Sequence, residues 1–253
     1  MEDTCIITFC NAPFLQKAQN TIHKIRTVGK YDGDIVVMVG DDLKDIQSGD
    51  PKIIIKYFPT IDRTEPLKKL NGISTSDGRD FYRTFQWHKI YGFDTYFKKW
   101  KRCWIIDAGM HIFKPLDKIL NLPWKGKLLA HSDSYPTYKS KLHDSFEKER
   151  FPELYEELCK KYDMNVDYFQ CTTLMYDTDL IDETILPRLF DLSHKYVNTK
   201  ANEQPLVNLI FNCEMKVWEQ LKIGDEETFY YDFFERDNHK YYDYIMLKYP
   251  KTI

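Results

Sequence analysis

Two short apolar runs flanking a helical stretch, all within the first forty residues, most narrowly limit what this chain can fold into. Cys5-Ile6-Ile7-Thr8-Phe9-Cys10 and Asp34-Ile35-Val36-Val37-Met38-Val39-Gly40 read as buried strands, the second opened by Asp32-Gly33. Between them, from Pro13 on, Phe14, Ala18, Thr21, Ile22 and Ile25 recur at helical spacing, and Gly29 follows as a stop. Strand, helix and strand in this order make a βαβ unit, and the helical crossover makes the two strands parallel.

The same reading continues along the chain. Residues 53–58 predict a third strand, and the polar segment 59–79, broken by Pro66, Gly72 and Gly78, predicts a surface loop. Residues 81–97 return to helical spacing. Arg102-Cys103-Trp104-Ile105-Ile106-Asp107-Ala108-Gly109 predicts a buried strand ending in an acid and a glycine. Further strands are expected at 125–130 and 168–176, and helices at 142–162, 182–197 and 203–221. The tail from 229 to 251 is dense in tyrosine and charge. Without repeats, linker or boundary, residues 1–253 read as a single domain.

Composition removes several functions. A formal net charge of -3 lacks the basic excess that attracts nucleic acid. Cys5, Cys10, Cys103, Cys159, Cys171 and Cys213 are scattered without a CxxC pair, which favours reduced thiols over disulfides or zinc. The acidic start Met1-Glu2-Asp3-Thr4 does not resemble a signal peptide, and no run approaches the ~18 apolar residues of a membrane span. The expectation is a soluble, cytoplasmic protein. Its 18 Tyr, 16 Phe and 5 Trp combine flat apolar faces with polar tips, suited to stacking on sugars and bases as well as to core packing.

Open α/β sheets do their chemistry at the carboxyl ends of strands. Asp107-Ala108-Gly109 stands at such an end, between Trp104-Ile105-Ile106 and Ile112-Phe113-Lys114-Pro115-Leu116-Asp117. There Asp107 can reach a ligand or metal, and Gly109 allows close approach to the backbone; the plainer alternative is an Asp-Gly turn.

The segment 101–117 resembles the metal-binding stretch of GT-A glycosyltransferases, particularly the glycogenin and galactosyltransferase group known as family 8. Those proteins carry an apolar strand, Asp-x-Asp, an apolar pair and Pro-Leu-Asp. Here Asp107 is the first acid and Lys114-Pro115-Leu116-Asp117 the downstream signature, while Gly109 replaces the second acid. The resemblance implies an α/β fold of GT-A type, a mixed, mainly parallel twisted sheet flanked by helices. It also implies a divalent cation, manganese, held by Asp107 against the donor diphosphate. A hard cation needs several oxygen ligands, so the loss at 109 weakens that site. Asp107 binding ribose or sugar directly is the other option, and His111 nearby reads as a packed or surface histidine.

Residue by residue, the resemblance carries further. Arg83 and Lys89 stand where a family helix contacts the donor, Lys89 matching better; a solvated helical face is the alternative. Gln170, in Asp167-Tyr168-Phe169-Gln170-Cys171-Thr172-Thr173, matches an amide that contacts sugar hydroxyls, or else an edge Gln bonded to backbone. Asn202-Glu203-Gln204-Pro205-Leu206-Val207-Asn208 resembles the helix opening Asp-Gln-Asp-x-x-Asn that faces the transferred sugar. Glu203 and Gln204 thereby become the catalytic candidates, a helix cap being the alternative for Glu203. The family's His-x-x-Gly-x-x-Lys-Pro-Trp is not intact; Lys248 is a candidate phosphate clamp and His239 a weak metal candidate. Asn11 either contacts the nucleotide or caps a helix before Pro13; Asp41 and Asp42 open a loop. A looser similarity is to glycosyltransferase-like proteins of large DNA viruses.

These readings imply transfer of a sugar from a nucleoside diphosphate sugar, with UDP as the nucleotide, to a hydroxyl on a glycan or protein acceptor. The alternative is a catalytically degenerate GT-A-like binding or scaffolding protein. For a nucleotidyltransferase the Cys10-Asn11-Ala12-Pro13 loop lacks glycine, and for a dehydrogenase no GxGxxG follows a strand. Gly109→Asp is expected to create or strengthen metal binding if the geometry is intact. The whole reading requires Asp107 and Glu203 to face one cleft.

Overall fold

A computed structural model describes residues 3–69, 84–221, 229–236 and 239–250. The opening βαβ unit is present as β1 (Thr4–Cys10), α1 (Leu15–Thr27) and β2 (Asp34–Val39), with β1 and β2 parallel. β3 (Ile53–Tyr57) extends the sheet on one side of β2. The helix α2 (Thr64–Lys69) then occupies part of the segment expected to be a loop. Pro66 lies in its first turn, where a missing N–H breaks no helical bond.

Residues Thr84–Phe93 and Thr95–Lys99 form 3-10 turns where a helix was expected. They lead into β4 (Arg102–Ile106), which pairs parallel with β1. After β5 (His111–Ile112) and α3 (Asp117–Leu120) comes β6 (Leu128–Ser132), slightly later than expected. The helix predicted over 142–162 is confined to α4 (Pro152–Lys161), because Pro152 fits a first turn and not a helix interior. β7 (Phe169–Asp177) and α5 (Ile185–Lys195) follow. The helix expected at 203–221 is α6 (Gln204–Asn208) continued as a π-helical turn to Glu214, and the chain then enters β8 (Trp218–Gln220). The tyrosine-rich tail contributes β9 (Phe229–Phe234) and β10 (Tyr244–Tyr249).

The main sheet has the order β3-β2-β1-β4-β7-β6-β8. All its pairings are parallel except those of β7, which runs against both β4 and β6. A second sheet, β5-β10-β9, adjoins the turn after β4. Both faces of the main sheet are covered, which is why its strands read as unbroken apolar runs. Ile7, Met38 and Ile105 pack with Trp87 and Phe93 in one core, whereas Ile6, Val37 and Trp104 pack with Ala18 and Ile25 of α1 in the other. Full burial of each aliphatic side chain contributes about 1.5–3 kcal/mol. All six cysteines are free thiols.

The reversed direction of β7 matters most for the site. Ile106 pairs with Thr173, and the N–H of Asp107 donates to Thr172 O at 3.0 Å. The start of β7, with Gln170, therefore lies at the carboxyl end of β4.

Candidate functional site

The carboxyl end of β4 turns sharply at Asp107-Ala108-Gly109, closed by the Met110 N–H donating to Asp107 O at 3.2 Å. Gly109 has φ +86°, a left-handed conformation that side chains disfavour. Helix α1 secures the turn: Gly109 N–H donates to Thr21 Oγ1 at 2.9 Å, and that hydroxyl donates to Met110 O at 3.4 Å.

Two lysines converge on Asp107. Lys89, in the 3-10 segment before β4, places its ammonium 2.9 Å from Asp107 Oδ1 and 3.1 Å from Glu203 Oε1. All three groups are mostly buried, with side-chain exposures of 8% for Lys89, 5% for Glu203 and 19% for Asp107. Burial works against the Lys89 ammonium, but the carboxylates of Asp107 and Glu203 outweigh it and raise its pKa above the ordinary value. Burial raises the Glu203 carboxyl despite the attraction of Lys89. The short contacts to both carboxylates favour an ammonium that stays charged.

The second lysine is Lys248 on β10. Its ammonium lies 3.4 Å from Asp107 Oδ2 and 3.2 Å from Ala108 O. Sheet register puts it there: β10 runs antiparallel to β5 with Leu247 opposite His111, so the next residue returns over the Asp107 turn. His111 has its pKa lowered, first by burial and then by Lys248 and Lys24.

Around this centre the amides have defined partners. Gln170 Oε1 accepts from Tyr231 OH at 2.8 Å, so it is not bonded to backbone as an edge glutamine would be. Gln204 Oε1 accepts from Cys171 N–H at 3.0 Å, and its Nε2 donates to Asp133 Oδ2 at 3.0 Å. Asn208 bonds both backbone groups of Phe169, which fixes the start of β7 against α6. Glu203 precedes α6 without a capping bond from its side chain. Asn11 likewise makes no cap bond, and its Oδ1 is buried without a partner. Asp41 accepts from Tyr57 OH and the Thr60 N–H, and Asp42 from the Ala12 N–H, so both organise loops. Arg83 lies outside the described residues.

One functional candidate was not singled out in the sequence. Asp133 follows β6, is exposed, and is held by Gln204. It lines a cavity of about 460 Å³ with His131, Tyr135, Gln170, Phe233 and Arg236. The polar cluster His131-Ser132-Asp133-Ser134 at the end of an expected strand was the available signal. Another depression, of about 390 Å³, lies beside Arg26 and Asp50 at the amino ends of the strands, the wrong end for a ligand in such a sheet.

The residues present do not fit the divalent cation that the family resemblance implies. Among the described residues no three His, Cys, Asp or Glu side chains converge as a metal site. Both oxygens of Asp107 face ammonium groups. A Cβ at position 109 would stand 3.8 Å from Lys17 Cδ, so a side chain there faces α1. His239 packs on Phe229, with Asp243 as its acidic neighbour. No helix among the described residues is long and apolar enough to cross a membrane.

No family model matches the chain, and no curated protein does. Solved structures do. The apo structure of the bifunctional glycosyltransferase WbbM superimposes with a TM-score of 0.59 at 12% identity, over 98% of this chain and 46% of that one. The galactosyltransferase LgtC, in complex with donor and acceptor sugar analogs, gives 0.53 at 10% identity over 91% and 75%. The glycosyltransferase GlyE of Streptococcus pneumoniae gives 0.53 at 11% identity over 87% and 46%. The chain thus spans about half the length of the WbbM and GlyE structures. The shared architecture is the GT-A type of mixed, mostly parallel sheet flanked by helices.

Proposed function

We propose that this chain is a glycosyltransferase of the family 8 type, moving a sugar from a nucleoside diphosphate sugar, UDP being the favoured nucleotide, to a hydroxyl of a glycan or protein acceptor. One observation carries the reading: Asp107, ending β4, and Glu203, opening α6, meet at one buried ammonium, Lys89, on a sheet of GT-A architecture. Residues almost a hundred positions apart thereby form one charged cluster at the strand ends where such sheets bind ligands.

The chemistry follows from charge. Breaking the anomeric bond leaves an oxocarbenium-like sugar and a diphosphate that gains negative charge, so a positive group near the departing oxygens lowers the barrier. Lys248 is the ammonium placed to do this, on the more open side of Asp107. Lys89 acts as a positioning residue, holding Asp107 and Glu203 in register. Asn11, with its orphaned carbonyl oxygen at the end of β1, offers an acceptor to a nucleotide donor group. Glu203 and Gln170 address sugar hydroxyls. Gln204 aims Asp133 into the adjoining cavity, which is large enough for an acceptor sugar.

The test is donor turnover. The protein is incubated with a panel of UDP- and GDP-hexoses, and free nucleoside diphosphate is measured with and without simple sugar acceptors. Release that falls at least about tenfold in Glu203→Gln supports the reading. If no donor is consumed while UDP still binds, the molecule is a binding protein on a transferase fold; if none is consumed or bound, the proposal fails.

A further inference from the structure

Resting on that reading, we propose that the Lys248 ammonium occupies the position of the divalent cation, so that the donor diphosphate binds here without metal. A cation at this turn would take the outer carboxylate oxygen of Asp107 and neighbouring oxygens. Lys248 already engages that carboxylate oxygen and the Ala108 carbonyl, at 3.4 and 3.2 Å. The other oxygen of Asp107 is buried without a hydrogen-bond partner and faces the Lys89 ammonium as an ion pair at 2.9 Å. The position that would supply a second carboxylate is Gly109, left-handed and with its N–H committed to Thr21.

Charge supports the same conclusion. Two ammonium groups and the two carboxylates Asp107 and Glu203 sum to zero. The centre is therefore neutral before a diphosphate arrives, and Lys248, not the Lys89 enclosed between Asp107 and Glu203, is the ammonium that meets it. Another basic residue, Lys17, runs its chain past Gly109 at the turn. Such surroundings favour an anion and oppose entry of a metal ion. Lys248 is only 12% exposed, so its ammonium meets phosphate oxygens in a partly desolvated setting where a charge-assisted hydrogen bond is strong.

Isothermal titration of UDP and GDP into the whole chain, in EDTA and in manganese chloride, decides the matter. The expected result is a dissociation constant in EDTA within about threefold of that in manganese for the nucleotide that binds, and a loss of about tenfold or more in Lys248→Met, with Lys248→Arg recovering most of it. Binding more than about threefold tighter in manganese overturns the inference while leaving the transferase reading intact. Unchanged affinity in Lys248→Met also overturns it. Absence of binding by either nucleotide in either buffer removes the transferase reading itself. The buffer comparison needs no variant, so it decides even where Lys248→Met does not fold.

Discussion

The two lysines that meet at Asp107 come from different parts of the fold, each facing a different carboxylate oxygen, and are held by different means. Lys89 belongs to the segment before β4, which Trp87, Ile90 and Phe93 anchor in the core. Its ammonium is enclosed between two carboxylates and lies 5.3 Å from the Phe9 ring centre. Lys248 belongs to the small sheet β5-β10-β9, close to the exposed end of β10, where Tyr249 is 50% exposed. It touches one carboxylate oxygen and one carbonyl at longer range. A charge locked into two buried ion pairs serves the architecture. One that touches a single oxygen of Asp107 at longer range is available to a ligand.

The sharpest attack on this contrast is Lys89→Met. It leaves the Asp107 and Glu203 carboxylates facing each other without their shared cation, and the expected loss is about 3–5 kcal/mol in urea unfolding. Lys248→Met leaves Asp107 still paired with Lys89, so its expected loss is smaller, about 1–2 kcal/mol, alongside the weakened nucleotide binding. Equal destabilisation by the two variants would erase the distinction between the two lysines.

Alkaline pH tests Lys89 separately. Its folded pKa is raised from the ordinary 10.5, so its contribution is complete below that value and is lost as pH rises through the higher folded value. The difference in unfolding free energy between wild type and Lys89→Met should stay constant from about pH 7 to 10 and shrink above 10.5. Shrinkage already near pH 8 would mean the ammonium is not held by both carboxylates.

The smallest expected effect is Gly109→Asp. A left-handed residue with a side chain costs about 1 kcal/mol, softened because Asp tolerates that region. Its carboxylate would face Lys17 on α1, so manganese affinity, followed by electron paramagnetic resonance, should not rise appreciably. A clear gain would show that the second acid of the family motif still has its geometry here.

Local pattern carried much of this molecule. The apolar runs ending at Cys10, Val39 and Ile106 are strands because only a sheet covered on both faces buries such sequences fully, and the helical spacing between the first two made them parallel. Pattern misread 142–151 as helix, since its charged spacing mimics a solvated helical face while Pro152 sets the real start. The tail resisted reading because aromatic density does not distinguish a strand from a cover segment.

The candidate site shows the same division. Asp107, Lys89, Gln170, Glu203, Gln204 and Lys248 could be picked out by type and by family likeness, but not their mutual arrangement. That depends on the direction of β7: had it run parallel to β4, Gln170 would lie at the far edge of the sheet, and the strand-forming run Phe169-Gln170-Cys171-Thr172-Thr173 carries no signal of direction. It depends equally on the register of β10, which alone decides that Lys248 returns over the Asp107 turn. Sequence by itself determined which segments must be buried, because burial is a local property of composition and period. Strand direction and register across the sheet were decided by the tertiary structure, because they come from contacts between residues far apart in the chain, and those contacts put two ammonium groups on one carboxylate.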